Sequence, residues 1–520
     1  MMDNGIKRLV TPAMLHNAKN NIKGDIRLMI VGLVLNMLGM PVIMLGIMTD
    51  VGREFSNVRD HSYTDFWEFM SGLSMLFMLA AFFCGIGFAM NSFRYLYKKQ
   101  YVDTMLSFPL GRKGRFLSDY FSGLAVYIAQ FLPSFIITLI MDIAGHIIYD
   151  GRIFADNNCY VFDMQYSVGD VCTVFSSLMP RILMFGFGLI VVMAMAYTTA
   201  VFVISCTGKS NDNVFMTILF NGLLVGMLIK FPMIACDILD DVCSNGILRE
   251  KVIDVTIPYF SPAGALFWLF YTVLEHAEKR VGSFLLWLPI TAAVTAGYAF
   301  LTYLVYRRRR AEQTGKPVVF DLFFHALMCM AVSLALFIDL DEFTAIPLIF
   351  VAVACFVASV GRSRGFSSLG RDSVAFLLSV VFTAVMYMLS CGVLEAADAY
   401  VPPASAIDRV YMDYGGRWDD SIYPVYYDIF DVEDNSYLPY VDDKNSIDTV
   451  RRLHKNSAAK SGSGFGRTYD DERVDYRNLT IIYELKTGGK VIRKYTVYGD
   501  ELEMLYSIDY ALKRDTSPRA

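Results

Sequence analysis

Nine stretches of this 520-residue chain are apolar for at least about the 18 residues that a helix needs to cross a bilayer core. They fall near 28–49, 66–90, 118–147, 180–206, 214–236, 283–305, 318–338, 344–361 and 373–396. Runs so long and so uniformly apolar read as helices, because a lipid-embedded helix satisfies its own backbone polar groups. The chain is therefore mainly α, a polytopic helical membrane protein. A tenth apolar segment, 259–275, is short and opens on Ser261-Pro262. If it crossed, the run Arg307, Arg308, Arg309, Arg310 would fall on the side opposite the other basic loops, against the positive-inside bias. It reads as a re-entrant element, and the four arginines, with Arg362 and Arg364, read as topology anchors.

With that parity the N-terminus and the basic loops are cytoplasmic. The loops on the other side are acidic, carrying Asp150, Asp156, Asp163 and Asp170 in one and Asp339, Asp341 and Glu342 in another. Residues 1–27 place Ile6, Leu9, Val10, Ala13 and Met14 on one side and Lys7, Arg8, His16 and Lys19 on the other, as an interfacial amphipathic helix does. The organisation expected is that helix, a six-helix region over 28–306, three further transmembrane helices over 307–396, and an extracytoplasmic domain over 397–520.

At Val401-Pro402-Pro403 the composition turns polar and Asp-rich. LTIIYEL and VIRKYTV flank a turn with two glycines and read as a β-hairpin. Helices are expected at 446–455 and 499–513, so the tail is a small α+β domain.

The most informative loop is 94–116, RYLYKKQYVDTMLSFPLGRKGRF, with six basic residues against Asp103 alone. A basic segment of this kind would lie on anionic headgroups, so membrane lipids are one expected partner. Its large apolar side chains exceed what a solvated tether needs. Tyr95, Leu96, Tyr97, Lys98, Lys99, Val102, Met105, Leu106, Phe108, Pro109 and Arg112 are the candidate docking residues.

Ionisable groups near the spans have local readings. Asp119 and Asp142 lie 23 residues apart, about 34 Å along a helix, and so mark opposite interfaces. Asp142 with His146, and Asp321 with His325, are spaced i, i+4 and read as local pairs, with no third ligand for a metal. Arg181 and Lys230 lie near outer ends where long side chains snorkel. Gln130 and Pro133 predict a kink in the third span, and Gly222 and Gly226 permit a close helix approach. Cys159 and Cys172 share one loop, leaving a disulfide open. No catalytic constellation and no metal site stand out. Thr487-Gly488-Gly489-Lys490 lacks the upstream glycine and downstream hydroxyl of a nucleotide-binding loop, and the modest charge of -5 gives no signal for nucleic acid.

Four segments resemble the membrane subunits of ABC-2-type ABC transporters, in particular Gram-positive bacterial permeases with an extra membrane region and an extracytoplasmic tail. They are YLYKKQYVDTMLSFPLGRKGRFLSDYFSGL, CTGKSNDNVFMTILFNG, YFSPAGALF and YRRRRAEQTGKPVVF. SIDTVRRLHKNSAAK and IIYELKTGGKVIRKYTV are similar to the domain appended to those permeases. The resemblance implies a six-helix core, a bacterial plasma-membrane location, and a first cytoplasmic loop that seats a coupling helix in a separate ATPase. ATP and Mg would then sit on that partner, with no cofactor on this chain. A second permease, identical or different, would complete a dimer. The expected function is export of an amphiphilic substrate, a lipid-linked molecule or a peptide; the alternatives are a sensor whose tail binds an antimicrobial peptide and an envelope-assembly factor.

The parity argument gives a direct test. Single cysteines replacing Ser363 and Ser461 in a cysteine-free background should label from opposite sides of the membrane, that at 461 from outside intact cells. Labelling of both from the same side would refute nine crossings.

Overall fold

Helices carry most of the chain in the computed structural model, which describes residues 12–55, 80, 82–98, 100–102, 111–153, 159–161, 164–166, 170–240, 258–274, 277–336, 345–363, 365–398, 400–414, 439–461, 476–486, 490–498 and 500–509. Among the described residues, seven segments are long and apolar enough to cross a membrane: 12–52, 112–149, 174–206, 212–229, 282–308, 346–363 and 369–386. Of the two remaining expected spans, 66–90 is described only at residue 80 and from residue 82 on, where Phe82–Ser92 is an apolar helix, and 318–338 contains the apolar helix Asp321–Leu336.

The first helix, α1 (Pro12–Leu38), runs through residue 27 without interruption, so the division expected there between an interfacial helix and the first span is absent from the backbone. Helix α2 (Met40–Phe55) follows after one residue. The polar half of α1 lies against α4 (Arg112–Ala129), the helix that follows α3 (Phe82–Ser92). Asn17 and Asn21 both donate to Asp119 Oδ1, at 2.8 and 2.7 Å. Side-chain amides at membrane depth thus find partners on a neighbouring helix, the arrangement that makes them tolerable there.

The third expected span is two helices. The path breaks at Gln130 and Phe131, and α5 (Leu132–Tyr149) begins with Pro133 in its first turn. Proline is tolerated there because that turn has no intrahelical acceptor for its missing N–H. The His146 and Asp142 pairing gives way to a contact one turn on: His146 Nδ1 lies 2.7 Å from Asp150 Oδ2. Asp150 also accepts from the backbone N–H groups of Phe175 and Ser176, at 3.2 and 2.8 Å, satisfying the first turn of α6 (Val174–Cys206). A carboxylate at a helix N-terminus satisfies orphan donors and the macrodipole together, which outweighs a local pair with Asp142. Between these helices lies the hairpin of β1 (Cys159–Val161) and β2 (Met164–Tyr166). Cys172 is a free, buried thiol whose Sγ lies 3.7 Å from Asp150 Oδ1.

Helix α6 is the most enclosed of the described spans, with most of its residues buried and Phe187 exposed. It packs against α4, α5, α8 (Pro262–Leu274) and α9 (Ala277–Arg308). Gly188 allows one of these close approaches: a Cβ there would sit 2.4 Å from Leu269 of α8. The segment read as re-entrant contains this 13-residue helix, about 20 Å over its described residues. Its Ser261 oxygen accepts the Gly264 N–H at 3.3 Å, and Trp268 stacks on Trp287 at 4.9 Å. On α7 (Ser210–Asp240), a Cβ on Gly222 would meet nothing within 4 Å among the described residues.

The last three membrane helices are α10 (Asp321–Leu336), α11 (Ala345–Ser363) and α12 (Leu369–Asp398). Ile349, Phe350, Val353 and Val357 of α11 and Leu377, Leu378 and Val381 of α12 are exposed. Apolar surface of that extent marks contact with lipid or protein rather than water.

By contacts the chain forms two units, Met1–Met227, Val255–Ala331 and Ile349–Phe376, and Leu228–Asp254, Val332–Leu348 and Leu377–Ala520. The tail of the second unit has its own core. Its sheet orders β4 (Tyr440–Val441), β3 (Ile407–Tyr414), β5 (Tyr476–Leu485) and β6 (Lys490–Tyr498), all antiparallel. Val410 and Met412, Leu479, Ile481 and Tyr483, and Tyr495 and Val497 alternate along their strands and are buried with Val450 and Leu453 of α13 (Lys444–Ser461) and Leu505 of α14 (Asp500–Asp509). The hairpin and both helices match the sequence reading, whereas β3 is an addition to it. Buried His454 stacks on Tyr483, with Nδ1 and the phenol oxygen 3.0 Å apart. Because Leu453 is fully buried in this core, Leu453→Ala should cost about 2–5 kcal/mol. Hydrogen exchange on the full-length protein should then accelerate across β5 and β6, and not in α6.

Candidate functional site

Arginine 309 is the first residue after α9, and it turns inward instead of continuing the exposed basic run. It is 6% exposed. Its Nη1 donates to the carbonyl of Ile204 at 2.7 Å and to that of Ser205 at 3.4 Å, and its Nη2 donates to the carbonyl of Leu96 at 2.8 Å. The last carbonyls of a helix have no intrahelical donor and form its negative pole, so a guanidinium at the end of α6 satisfies both needs. Burial pulls Arg309 below its ordinary value, opposed by Tyr97 and Tyr95. Arginine starts so far above neutrality that it stays a cation.

Leu96 belongs to a short 3₁₀ turn, Arg94–Tyr97, just after α3. Tyr95 in the same turn shares a hydrogen bond with Tyr306 of α9, their oxygens 2.8 Å apart. Phe93 and Phe116 enclose the Tyr306 ring at 6.3 and 5.2 Å. Burial raises the phenols of Tyr95 and Tyr97 well above their usual range. Arg112, at the start of α4, donates through Nη1 to the Arg307 carbonyl at 2.8 Å.

The stretch after α6 closes the joint. Thr207 pairs with Val318, Val319 N donates to the Cys206 carbonyl at 2.8 Å, and Gly315 N donates to the Gly208 carbonyl at 2.9 Å. Gly315 holds φ at +89°, and a Cβ on Gly208 would lie 2.5 Å from the carbonyl oxygen of Lys316. Both positions therefore need glycine, one for the left-handed backbone and one for close approach.

The candidate docking residues divide into two groups. Tyr95, Leu96 and Val102 are buried within the chain, and Tyr97 is half-buried. They hold the loop to the spans and offer little outward surface. Lys98 and Arg112 are exposed, and Lys98 Nζ sits 5.5 Å over the ring of Tyr101, itself 54% exposed. Tyr101 was not singled out by the sequence. Lys99, Met105, Leu106, Phe108 and Pro109 lie outside the described residues, as do Arg364 and Thr487 to Gly489.

Two of the expected topology anchors turn inward to partners within the chain. Arg307, Arg308 and Arg310 are exposed, but Arg309 is the inward clamp. Arg362 is largely buried, pairing with Asp372 at 2.9 Å and Asp321 at 2.5 Å and lying 4.6 Å over Phe324. Asp321 and His325 likewise do not pair with each other. His325 Nε2 lies 3.1 Å from Asp372, and Asp321 takes Arg362 and Arg371. Two guanidinium groups, one on each oxygen of Asp321, are together stronger partners for a carboxylate than a one-turn imidazole. Among the described residues no three metal-ligating side chains come together.

Comparison of the chain with protein-family models, with curated proteins and with solved structures finds no match.

Replacing Arg309 by Met would remove the guanidinium from three carbonyls, of which only that of Ile204 keeps another donor among the described residues, the Thr207 N–H at 3.3 Å, at about 1.5–3 kcal/mol for each charge-assisted bond lost. Arg309→Lys should rescue poorly, since an ammonium cannot fork between two segments. Thermal unfolding of the purified protein should fall markedly for both variants and stay near wild type for Arg307→Gln.

Proposed function

We propose that this chain is the permease subunit of an ABC-2-type transporter, driven by a separate ATPase that binds ATP and Mg. The observation that carries this reading is the joint around Arg309. Three of the four family-like segments, far apart in the sequence, contribute to it: Leu96 from the first loop, Cys206 to Gly208 from the second, and Arg309 to Val318 from the third. A push on the first loop would reach the ends of α6 and α9 through hydrogen bonds and packed rings, without passing through flexible chain. Contiguous contacts between rigid elements are the physical means by which a remote event biases a conformational equilibrium.

In this reading the N-terminus and the joint are cytoplasmic and the tail is extracytoplasmic, in a bacterial plasma membrane. Lys98, Tyr101 and Arg112 form the outward part of the docking surface, and the buried residues transmit the force. The substrate is an amphiphile, a lipid-linked molecule or hydrophobic peptide, matching spans with extensive exposed apolar surface. A second permease completes the assembly. The tail's independent hydrophobic core favours one other reading, in which this domain binds an envelope component or antimicrobial peptide and the membrane helices relay that event.

The test is affinity purification of the tagged chain from its native membrane, followed by identification of any ATPase that accompanies it. Tyr101→Asp should reduce that recovery at least tenfold, since a buried unpaired carboxylate costs several kcal/mol. Lys98→Glu should have the smaller effect expected of a rim charge. Absence of any ATPase from the wild-type preparation would overturn the assignment.

A further inference from the structure

Between α1 and α3 lies a polar chamber with about 450 Å³ of empty space including its mouth. Its wall takes Asn21 and Asp25 from α1, Asn91 and Ser92 from the end of α3, and Arg94 and Tyr95 from the turn that follows. Asp25 is the only carboxylate among these lining residues, and it is 3% exposed. It stands inside a continuous helix whose ladder engages its backbone groups, so what it presents to the chamber is its side chain. Oδ1 accepts from Nδ2 of Asn91, which is itself on the wall. Oδ2 is enclosed and has no hydrogen-bond partner. Arg94 is exposed and pairs with neither oxygen.

A buried carboxylate oxygen without a donor is costly unless a positive charge answers it. The neighbours of Asp25 add acceptors instead of donors. An amide that meets a carboxylate must turn its NH2 end toward it, because only that end donates. Asn91 commits this end to Asp25, and Asn21 commits it to Asp119 Oδ1 and Ser122 Oγ, at 2.7 and 3.4 Å. Each therefore keeps a carbonyl oxygen as an acceptor. The Ser92 hydroxyl, 8% exposed, adds a third uncharged oxygen. One anionic and three neutral oxygens, with no imidazole or thiol on the wall, are ligands for a hard cation and not for a transition metal.

We propose that this chamber binds a monovalent alkali cation, with Asp25 Oδ2 as its charged ligand and Asn21 Oδ1, Asn91 Oδ1 and Ser92 Oγ as neutral ones. Charge count decides against a divalent ion. One carboxylate balances one positive charge, and Arg94 on the same wall repels a second. Calcium gathers about 6–8 oxygens, with carboxylates prominent among them. A water occupies about 30 Å³ of liquid, so the chamber admits the ion together with water ligands. The bound ion ties α1 to α3. Tyr95, on the same wall, shares its hydrogen bond with Tyr306 in the joint, so loading the chamber braces that joint from the side of α1. This site needs no ATPase, and its test is independent of the assignment above.

Thermal unfolding of the full-length protein would be followed in sodium chloride and in choline chloride at the same ionic strength, about 0.15 M, so that screening is equal. Wild type should unfold about 2 °C or more higher in sodium, with a shift that saturates as sodium is titrated in. Asp25→Asn keeps an oxygen for Asn91 and removes the charge, and it should lose at least half of the shift. Lys23→Gln, an exposed charge on the same helix outside the chamber, should keep it. No shift in wild type, or equal shifts in wild type and Asp25→Asn, overturns the site. Calcium at about 1 mM stabilising more than sodium overturns the monovalent assignment. Methylammonium chloride stabilising more than sodium reassigns the chamber to an ammonium group and overturns the alkali cation. Should Asp25→Asn unfold early in choline chloride, Ser92→Ala carries the comparison. Its half-saturating sodium concentration should rise about threefold or more, and an unchanged one overturns the site.

Discussion

One guanidinium holds three parts of this membrane protein together. Arg309 reaches the end of α6 and the turn after α3 from a backbone that has just left α9. Those elements share no sequence proximity, and the aromatic packing of Phe93, Phe116 and Tyr306 would by itself leave buried carbonyls unanswered. In a bilayer apolar side chains pack against lipid nearly as well as against one another, so helix association needs directional contacts. The charge-assisted bonds of Arg309 supply them where the loops meet the spans. Gly208 and Gly315 then let the following backbone segments close over the joint.

The same logic recurs elsewhere in smaller form. Asp119 gathers Asn17 and Asn21 across α1 and α4, and Asp372 gathers Arg362, His325 and Ser359 among α10, α11 and α12. In each case a carboxylate near the end of a span receives several donors from other helices. The tail is held differently. Its strands and helices share an alternating apolar core, as expected of a domain whose surroundings are water.

Much of this was legible because hydropathy and turn chemistry are local properties. The positions of α6, α9 and α12 follow from apolar length, and the β5–β6 hairpin follows from β-branched strands around two glycines. Strand β3 was missed because IDRVYMDY carries three charges in eight residues, and its partners lie about 30 and about 70 residues away. The inward turn of Arg309 left no mark in a run of four arginines, since charge counting says nothing of direction. Asp321 and His325 misled through their spacing: one-turn proximity is real, but Arg362 from another helix offers Asp321 the better partner. The apolar residues of the first loop were singled out as unusual for a tether. The burial of Tyr95 and Leu96 could be known only once the distant Tyr306 and Arg309 were in place.

Every acceptor of Arg309 is a main-chain carbonyl. Leu96, Ile204 and Ser205 contribute nothing to the clamp through their side chains, so mutation at those positions can drift without erasing it. The side-chain identity this clamp requires is that of its donor. Among descendants of this chain, the three contacted positions are constrained by core packing and not by the clamp, while loss of one codon for arginine would undo the contact in a single step.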